Sequence, residues 1–257
     1  MADRLVFSAL QGIPRVRPGD DLAGLIWQAL ERASIRLEAG DVIVVTQKIV
    51  SKAEGRHVNL TTVEPSPRAE ALSRETGKDA RLVEVILGES RSVLRTRPGL
   101  IIVEHRLGFV CANAGVDHSN VESPDGSAGE WVLRLPEDPD HSAAELRRAL
   151  GSHAGVAPAV LIADSHGRAW RLGTVGVAVG GAGFPALLDL RGQPDLFGYK
   201  LQATVVGLAD EVCAGASALM GQAAEGRPVV HVRGLAASAA GGRAADIIRP
   251  LEEDLFR

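Results

Sequence analysis

The sequence predicts an α+β fold, in which helices and strands are mixed rather than strictly alternating. Apolar runs rich in β-branched residues, such as residues 42–45 and 228–232, predict short strands. Other segments carry apolar residues at helical spacing, and no regular strand–helix repeat connects the two kinds. Of the 257 residues, 46% are hydrophobic, which is enough for one large domain or two small ones.

The N-terminal elements follow from capping residues and periodicity. Residues 5–10 (LVFSAL) predict a first strand. Asp20 or Asp21 is expected to cap a helix that Gly40 ends, and residues 42–45 then form a buried strand.

The middle of the chain changes character twice. Residues 66–80 predict a helix that breaks near Gly77, residues 82–87 continue with helical spacing, and residues 100–103 predict a strand. Residues 111–129 are rich in small and polar residues, which favours a functional loop over a linker.

The C-terminal half repeats this mixture. Ser142 and Glu145 form a capping-box pattern that predicts a helix through Leu150. A strand over residues 159–162 should place Asp164 at its end. Further elements are expected at residues 201–206 (strand), 210–220 (helix) and 228–232 (strand).

Composition excludes several classes of protein. A net charge of -4 and an aromatic content of 4% argue against a nucleic-acid partner. The cysteines, Cys111 and Cys213, form neither a zinc pattern nor a disulfide framework, and we expect both to be buried. The N-terminus lacks a signal-peptide pattern, and no apolar run reaches the roughly 18 residues of a membrane span. These features predict a cytoplasmic protein without a membrane partner.

The first two of four polar segments carry lysines and an acid. Residues 46–55 place Lys48 and Lys52 four apart, on one face of a helix, where lysine suits a phosphate. A solvated helix start is the alternative. Residues 113–120 contain Asp117, a hard oxygen ligand, and Asn120, a hydrogen-bonding side chain, although an ordinary Asx-rich turn would look similar.

The last two polar segments add a possible metal ligand and a glycine-rich loop. In residues 163–171, Asp164 and Ser165 can act as a metal pair or as helix caps. His166 has no second ligand nearby, and no nucleophile elbow is present. Residues 220–227 (MGQAAEGR) allow close backbone approach to a ligand, or simply end a helix.

Two glycine patterns give negative results. The sequence has no G-x-x-x-x-G-K-[ST] motif, which excludes a Walker-type nucleotide site. The glycine-rich residues 176–183 lack the Rossmann spacing, so we interpret them as a packing or substrate-approach segment.

Taken together, the segments resemble the coenzyme F420:γ-glutamyl ligase family. The resemblance is carried, in family order, by GDVIVVTQKIVSKAEGR, EHRLGFVCANAGVDHSN, LIADSHGRAWRLGTVGVAVGGAG, DLRGQPDLFGYKLQATVVGLADEV and MGQAAEGRPVVHVRG. It implies a family-specific α+β fold with antiparallel-rich sheets and an intertwined homodimer. One catalytic unit would span residues 1–257, in one body or two interlocked lobes. The nitroreductase-like C-terminal domain of some actinobacterial relatives is not expected.

The resemblance also implies a ligand set and the residues that hold it. It implies a reaction in which L-glutamate is ligated to coenzyme F420-0 with GTP as a substrate. Two divalent ions (Mg²⁺ or Mn²⁺) and K⁺ would be required. The nucleotide would be held by Ile13, Pro14, Arg15, Val16, Gln47, Lys52, Asn120, Met220, Gly221, Gln222, Ala223, Ala224, Glu225, Gly226 and Arg227. The metals would be held by Asp117, Asp164, Ser165 and Gln222, with the two aspartates as the catalytic acids.

Three positions differ from common family patterns. Ser165 stands where many relatives have threonine, and Gln47 stands where some have serine. Leu172 replaces the asparagine of the R-N-G variant of the family pattern. Two other functions remain open from the sequence: a non-catalytic nucleotide- or deazaflavin-binding protein, and an amide ligase that acts on a different acid.

Overall fold

The computed structural model describes residues 4–235 and 241–255. Its strands are β1 (Val6–Ala9), β2 (Val42–Thr46), β3 (His57–Asn59), β4 (Ser90–Arg97), β5 (Leu100–His105), β6 (Val110–Ala112), β7 (Trp131–Leu133), β8 (Ala159–Arg168), β9 (Arg171–Ala182), β10 (Leu188–Asp189), β11 (Val205–Val206) and β12 (Val229–Arg233). Its α-helices are α1 (Leu22–Arg32), α2 (Gln47–Ala53), α3 (Pro67–Thr76), α4 (Ala80–Gly88), α5 (Pro139–Ala154) and α6 (Leu208–Met220).

A five-stranded sheet in the order β1-β12-β2-β8-β9 forms the centre of the molecule. Strands β2 and β8 are parallel, and every other neighbouring pair in this sheet is antiparallel. Side chains of β2 alternate between two cores, with Ile43 and Val45 in one and Val42 and Val44 in the other. The mixed, antiparallel-rich architecture confirms the α+β prediction.

Helices cover both faces of the central sheet. Leu30 of α1 and Leu150 of α5 are buried with Ile43, whereas Val212 and Ala216 of α6 are buried in the opposite core. Burial of the β-branched side chains between two helical layers removes their apolar surface from water, which is the main favourable contribution to folding.

A second, three-stranded sheet (β4-β5-β6) packs against α3 and α4. Its core includes Ile101 and Val103 of β5 and Val83 and Ile86 of α4. Helix α3 ends at the left-handed Gly77, with a φ of 69°, which confirms the predicted break. Cys111 and Cys213 are buried, as expected, and burial raises the pKa of the Cys111 thiol to about 12.

Two helix boundaries differ from the predictions. Helix α1 begins as predicted, with the Asp21 side chain accepting from the Gly24 amide at 3.0 Å, but it ends at Arg32 rather than at Gly40. The prediction was wrong because Ser34, with a φ of 54°, already turns the chain away. Helix α5 begins at Pro139, with Asp138 rather than Ser142 as its N-cap, because Pro139 fits the first helical turn.

Strand lengths also differ from the predictions. Strand β8 extends through Arg168, so Asp164 lies inside a strand and neither Asp164 nor Ser165 caps a helix. The glycine-rich residues 176–183 mostly belong to β9, which pairs with β8 in a long hairpin. Of the strand predicted at residues 201–206, β11 alone is regular, because bends interrupt the preceding residues. None of the helices in the described ranges has the length and apolar character that a membrane crossing needs.

Candidate active site

The site forms where the two parallel strands of the central sheet leave its core. Thr46 of β2 is in register with Ala163 of β8, so Gln47 and Asp164, which follow them, come to the same edge of the sheet. Ligands commonly bind outside the carboxyl ends of parallel strands, because the chain changes direction there and leaves a crevice.

An open cleft of about 480 Å³ lies at this edge. All the residues that the family resemblance implied line it, except Val16, which is buried and lines a neighbouring cavity instead. The structure therefore brings together segments from five separate parts of the chain. Their individual roles stay predictions.

Asp117 is an acid of the cleft whose pKa is raised. Its Oδ2 atom accepts a hydrogen bond from Gln47 Nε2 at 2.5 Å and lies 3.1 Å from Lys48 Nζ. Burial, aided by the charge of Asp164, raises the pKa of Asp117, although Lys48 and Gln47 act in the opposite direction. A raised pKa means that the folded protein stabilises the ionised carboxylate less well than water does. A cation bound beside the carboxylate would stabilise the ionised form.

Asp164 is held by a neighbouring side chain of its own strand. His166 Nε2 lies 3.0 Å from Asp164 Oδ2, and the imidazole packs against Phe109 at a centroid distance of 5.3 Å. Residues two apart in a strand share a face, which explains the contact. His166 is therefore a partner of a predicted metal ligand, a role that the sequence pattern did not reveal.

The glycine-rich loop after α6 closes one side of the cleft. Glu225 accepts from the Ala223 amide at 2.8 Å, and Asn120 Nδ2 donates to the Ala223 carbonyl at 3.0 Å. Gly221 has a φ of 76° and a ψ of 179°, a backbone conformation that side chains other than glycine rarely adopt, so the turn favours glycine. Asn120 thus contributes by holding this loop in place.

Two lysines on α2 supply positive charge, as their spacing predicted. Lys48 donates to the Ser119 carbonyl at 2.9 Å and also pairs with Asp117, a contact that the sequence did not indicate. Lys52 is half-buried, and burial lowers the pKa of its ammonium although Glu122 partly offsets this effect. A half-buried ammonium is stabilised by a bound anion such as a phosphate or carboxylate.

The oxygen donors in the cleft fit a hard divalent cation. Asp117 and Asp164 supply carboxylates, Ser165 a hydroxyl and Gln222 an amide oxygen, which are the ligand types that Mg²⁺ and Mn²⁺ prefer. Across residues 4–235 and 241–255, no cluster of three His, Cys, Asp or Glu side chains forms a site closed by protein ligands alone. Such a sparse donor set suits an ion that shares its ligands with phosphates.

The cleft combines the acids Asp117 and Asp164 with Lys48 and Lys52, a composition that suits anionic ligands and the cations that accompany them. The chain matches the model of the F420-0:Gamma-glutamyl ligase family over residues 12–234. It belongs to this family, which confirms the resemblance.

Named relatives match the chain almost from end to end. It is 49% identical to the coenzyme F420:L-glutamate ligase of Methanopyrus kandleri over 247 residues, or 95% of this chain and 94% of that protein. The enzyme of the same name from Methanothermobacter thermautotrophicus is 46% identical over 250 residues, covering 96% and 97%. That of Archaeoglobus fulgidus is 43% identical over 248 residues, covering 96% and 94%.

Proposed function

We propose that the chain is a GTP-dependent ligase that forms an amide bond between L-glutamate and coenzyme F420-0, and that it can add further γ-linked glutamates. The convergence of Asp117, Asp164 and Lys52 with the glycine-rich loop in one cleft, in a member of this family, carries the proposal. The cleft offers positive charge for phosphates and oxygen ligands for the cations that accompany them.

The chemistry requires activation of a carboxylate. A carboxylate oxygen of F420-0 attacks the γ-phosphorus of GTP, the bond from that phosphorus to the β–γ bridging oxygen breaks, and GDP leaves. The amine of glutamate then attacks the carbonyl carbon of the acyl phosphate, the carbon–oxygen bond to phosphate breaks, and the nitrogen releases a proton. Phosphate departs and an amide remains, so no covalent bond to the protein is needed.

The side chains of the cleft position and neutralise the reactants. Asp117, Asp164, Ser165 and Gln222 would hold two divalent ions, which neutralise phosphate charge when bound. Lys52 would bind the phosphates, and the backbone of the loop over residues 220–227 can approach the nucleotide closely. Catalysis by this arrangement comes from orientation and electrostatics. The participation of K⁺ is proposed from the family resemblance.

Exposed apolar side chains on two hairpins support the proposed homodimer. Trp170 and Leu172, at the turn between β8 and β9, are 87% and 99% exposed. Leu196 and Phe197, between β10 and β11, are 97% and 95% exposed. Such apolar side chains on projecting segments are typical of surfaces that become buried by association. A Phe197→Glu variant should shift the mass in light scattering from dimer to monomer, and a wild-type monomer would contradict the homodimer.

A direct assay tests the proposed reaction. The protein is incubated with GTP, MnCl₂, L-glutamate and F420-0, and product mass, GDP and phosphate are measured. The mass should rise by one glutamyl residue for each GDP and phosphate released, and reactions without glutamate or metal serve as controls. Ligand binding without product would support a non-catalytic binding protein. Product with another acid, but none with F420-0, would support a ligase of different specificity.

A further inference from the structure

A second cavity, here called the side pocket, opens beside the nucleotide cleft. It has a volume of about 350 Å³ and is formed by residues 15–18, Lys52, His57 and residues 122–126. Arg15 and Lys52 line both cavities, so a ligand in the side pocket would lie next to one in the cleft. None of the family-implied contacts accounts for Arg17, His57 or Glu122 at this position.

The side pocket contains polar groups that lack partners. Lys52 is half-buried, yet its ammonium makes no hydrogen bond or close ion pair within residues 4–235 and 241–255. The Nδ1 atom of His57 is buried and has no hydrogen-bond partner. The exposed guanidinium of Arg17 likewise has no partner in the part of the chain that is described. Buried polar groups are normally satisfied, so the His57 nitrogen indicates a ligand or solvent with a complementary group, and the half-buried Lys52 ammonium beside it would be stabilised by an anion.

Two acidic residues, Glu122 and Asp125, also line the side pocket. Glu122 pairs with Arg15 at 3.0 Å and remains about half exposed, so it can accept further hydrogen bonds. Asp125 is already used within its own turn, where it accepts from Ser123 and from the Ser127 amide at 2.9 Å each. The side pocket therefore offers two cationic side chains, Arg17 and Lys52, the imidazole of His57 and one carboxylate, Glu122, that can accept further hydrogen bonds.

We propose that the side pocket binds the L-glutamate substrate, with its carboxylates at Arg17, Lys52 and His57 and its ammonium group facing Glu122. This inference rests on the proposed ligase function. The volume lies within the range of small-ligand sites, and the charge pattern complements a small zwitterion with a second acid. A bound glutamate would approach the reacting phosphate across the border that Arg15 and Lys52 form.

The chemistry of the walls favours glutamate over the other two substrates. A deazaflavin ring would need broad apolar or aromatic walls, whereas this pocket is lined mainly by charged and polar side chains. The nucleotide phosphates are already provided for in the proposed function by the glycine-rich loop and by the divalent ions that Asp117 and Asp164 would hold. The dicarboxylate is the remaining substrate, and separate basic groups match its two acids.

Substitution of Arg17 tests the proposal, because this residue lines the side pocket and not the cleft. Arg17→Ala should raise the KM for L-glutamate about tenfold or more, as expected when a charge-assisted hydrogen bond is lost. The KM values for GTP and F420-0 should stay within about twofold, and Arg17→Lys should restore part of the effect because it restores the charge. Arg68→Ala, at an exposed arginine of α3, is the matched control and should leave all three KM values unchanged.

A competition experiment separates this inference from the proposed function. Glutarate, which has both acids but no amine, should inhibit competitively against L-glutamate, and Arg17→Ala should weaken that inhibition in parallel with the KM for glutamate. If the wild-type protein ligates glutamate but Arg17→Ala changes the KM for GTP instead, the side pocket belongs to the nucleotide. If none of the KM values changes, the side pocket is not a substrate site. Failure of the wild-type protein to form product would instead contradict the proposed function.

Discussion

Two clusters of buried charge in this protein have opposite electrostatic balance. Between α4 and β4, the carboxylate of Glu89 is buried among three arginines. Its distances to Arg56, Arg106 and Arg134 are 3.2, 2.8 and 3.1 Å. At the edge of the central sheet, Asp117 meets Lys48 but also senses Asp164. Burial acts to raise the pKa of both acids. At Glu89 the arginines outweigh burial, so the pKa is lowered, whereas at Asp117 burial prevails and the pKa is raised.

The difference separates a structural ion cluster from a binding site. Glu89 has its counter-ions within the protein, so its charge stabilises the fold. The charge on Asp117 is incompletely compensated, so the folded protein would gain from a cation that the solution supplies. For these two acids, the opposite directions of the pKa shift reflect how well the protein itself compensates each charge.

The largest expected effect concerns the acids of the cleft. Asp117→Asn and Asp164→Asn should each lower kcat/KM for ligation about a thousandfold, or about 4 kcal/mol in the barrier, because each removes charge from a hard-cation site. The melting temperature of Asp117→Asn without ligand should not fall, since a carboxyl with a raised pKa weakens the fold when ionised. Glu70→Gln, on the exposed side of α3, is the control. Near-wild-type ligation by both variants at limiting metal would contradict the metal assignment.

The opposite result is expected for Glu89. Glu89→Gln should lower the free energy of unfolding by about 3 kcal/mol, because three arginines lose their buried counter-charge. Glu137→Gln, which removes an exposed partner of Arg56, should cost less than about 1 kcal/mol. Urea denaturation of each variant measures both values. Equal stability of Glu89→Gln and wild type would show that this cluster is not a structural one.

The contribution of Glu89 to the free energy of unfolding should depend on pH. The folded-state pKa of Glu89 lies below its ordinary value of 4.5, so its contribution is complete above that value. The contribution is lost as the pH falls below about 4.5 and through the folded pKa. Urea unfolding at pH 7 and pH 3.5 should therefore show a smaller difference between wild type and Glu89→Gln at the lower pH. A difference that grows on acidification would contradict this assignment.

Ligand binding should stabilise the region that lacks internal compensation. GTP with Mn²⁺ at roughly 100 times its dissociation constant should add about 2.7 kcal/mol to the stability. Hydrogen exchange should show new protection in residues 111–129 and 220–227, where few large apolar groups fix the backbone. The amides around Glu89 should change little. Protection confined to other segments would remove these two loops from the site.

The smallest expected effect concerns the lysine at the border of the two cavities. Lys52→Ala should raise the KM for GTP about tenfold, or about 1.4 kcal/mol, and raise the KM for glutamate by a smaller factor. Lys78→Ala is the control, because burial also lowers the pKa of Lys78 but this residue lies between α3 and α4, outside both cavities. It should leave both KM values unchanged. An unchanged KM for GTP with a raised KM for glutamate would assign Lys52 to the side pocket alone.

The sequence by itself determined the class of fold, several of the strands and the four polar segments that meet in the cleft, but it missed the long strands β4 and β9. These features are local or carried by the family resemblance: β-branched runs such as residues 42–45 form strands, and Gly77 ends a helix because it accepts a left-handed backbone. Boundaries at Ser34 and Asp138 were missed, because competing local caps ended or began those helices.

The tertiary structure alone decided which distant side chains meet. Strand pairing carried β8 past Asp164 and placed His166 against it, and chain folding brought Arg17, His57 and Glu122 into one pocket. The same folding gave Glu89 three arginines and left Asp117 incompletely compensated. Local spacing cannot encode these outcomes, because burial and the charges across a contact depend on segments far apart in the chain.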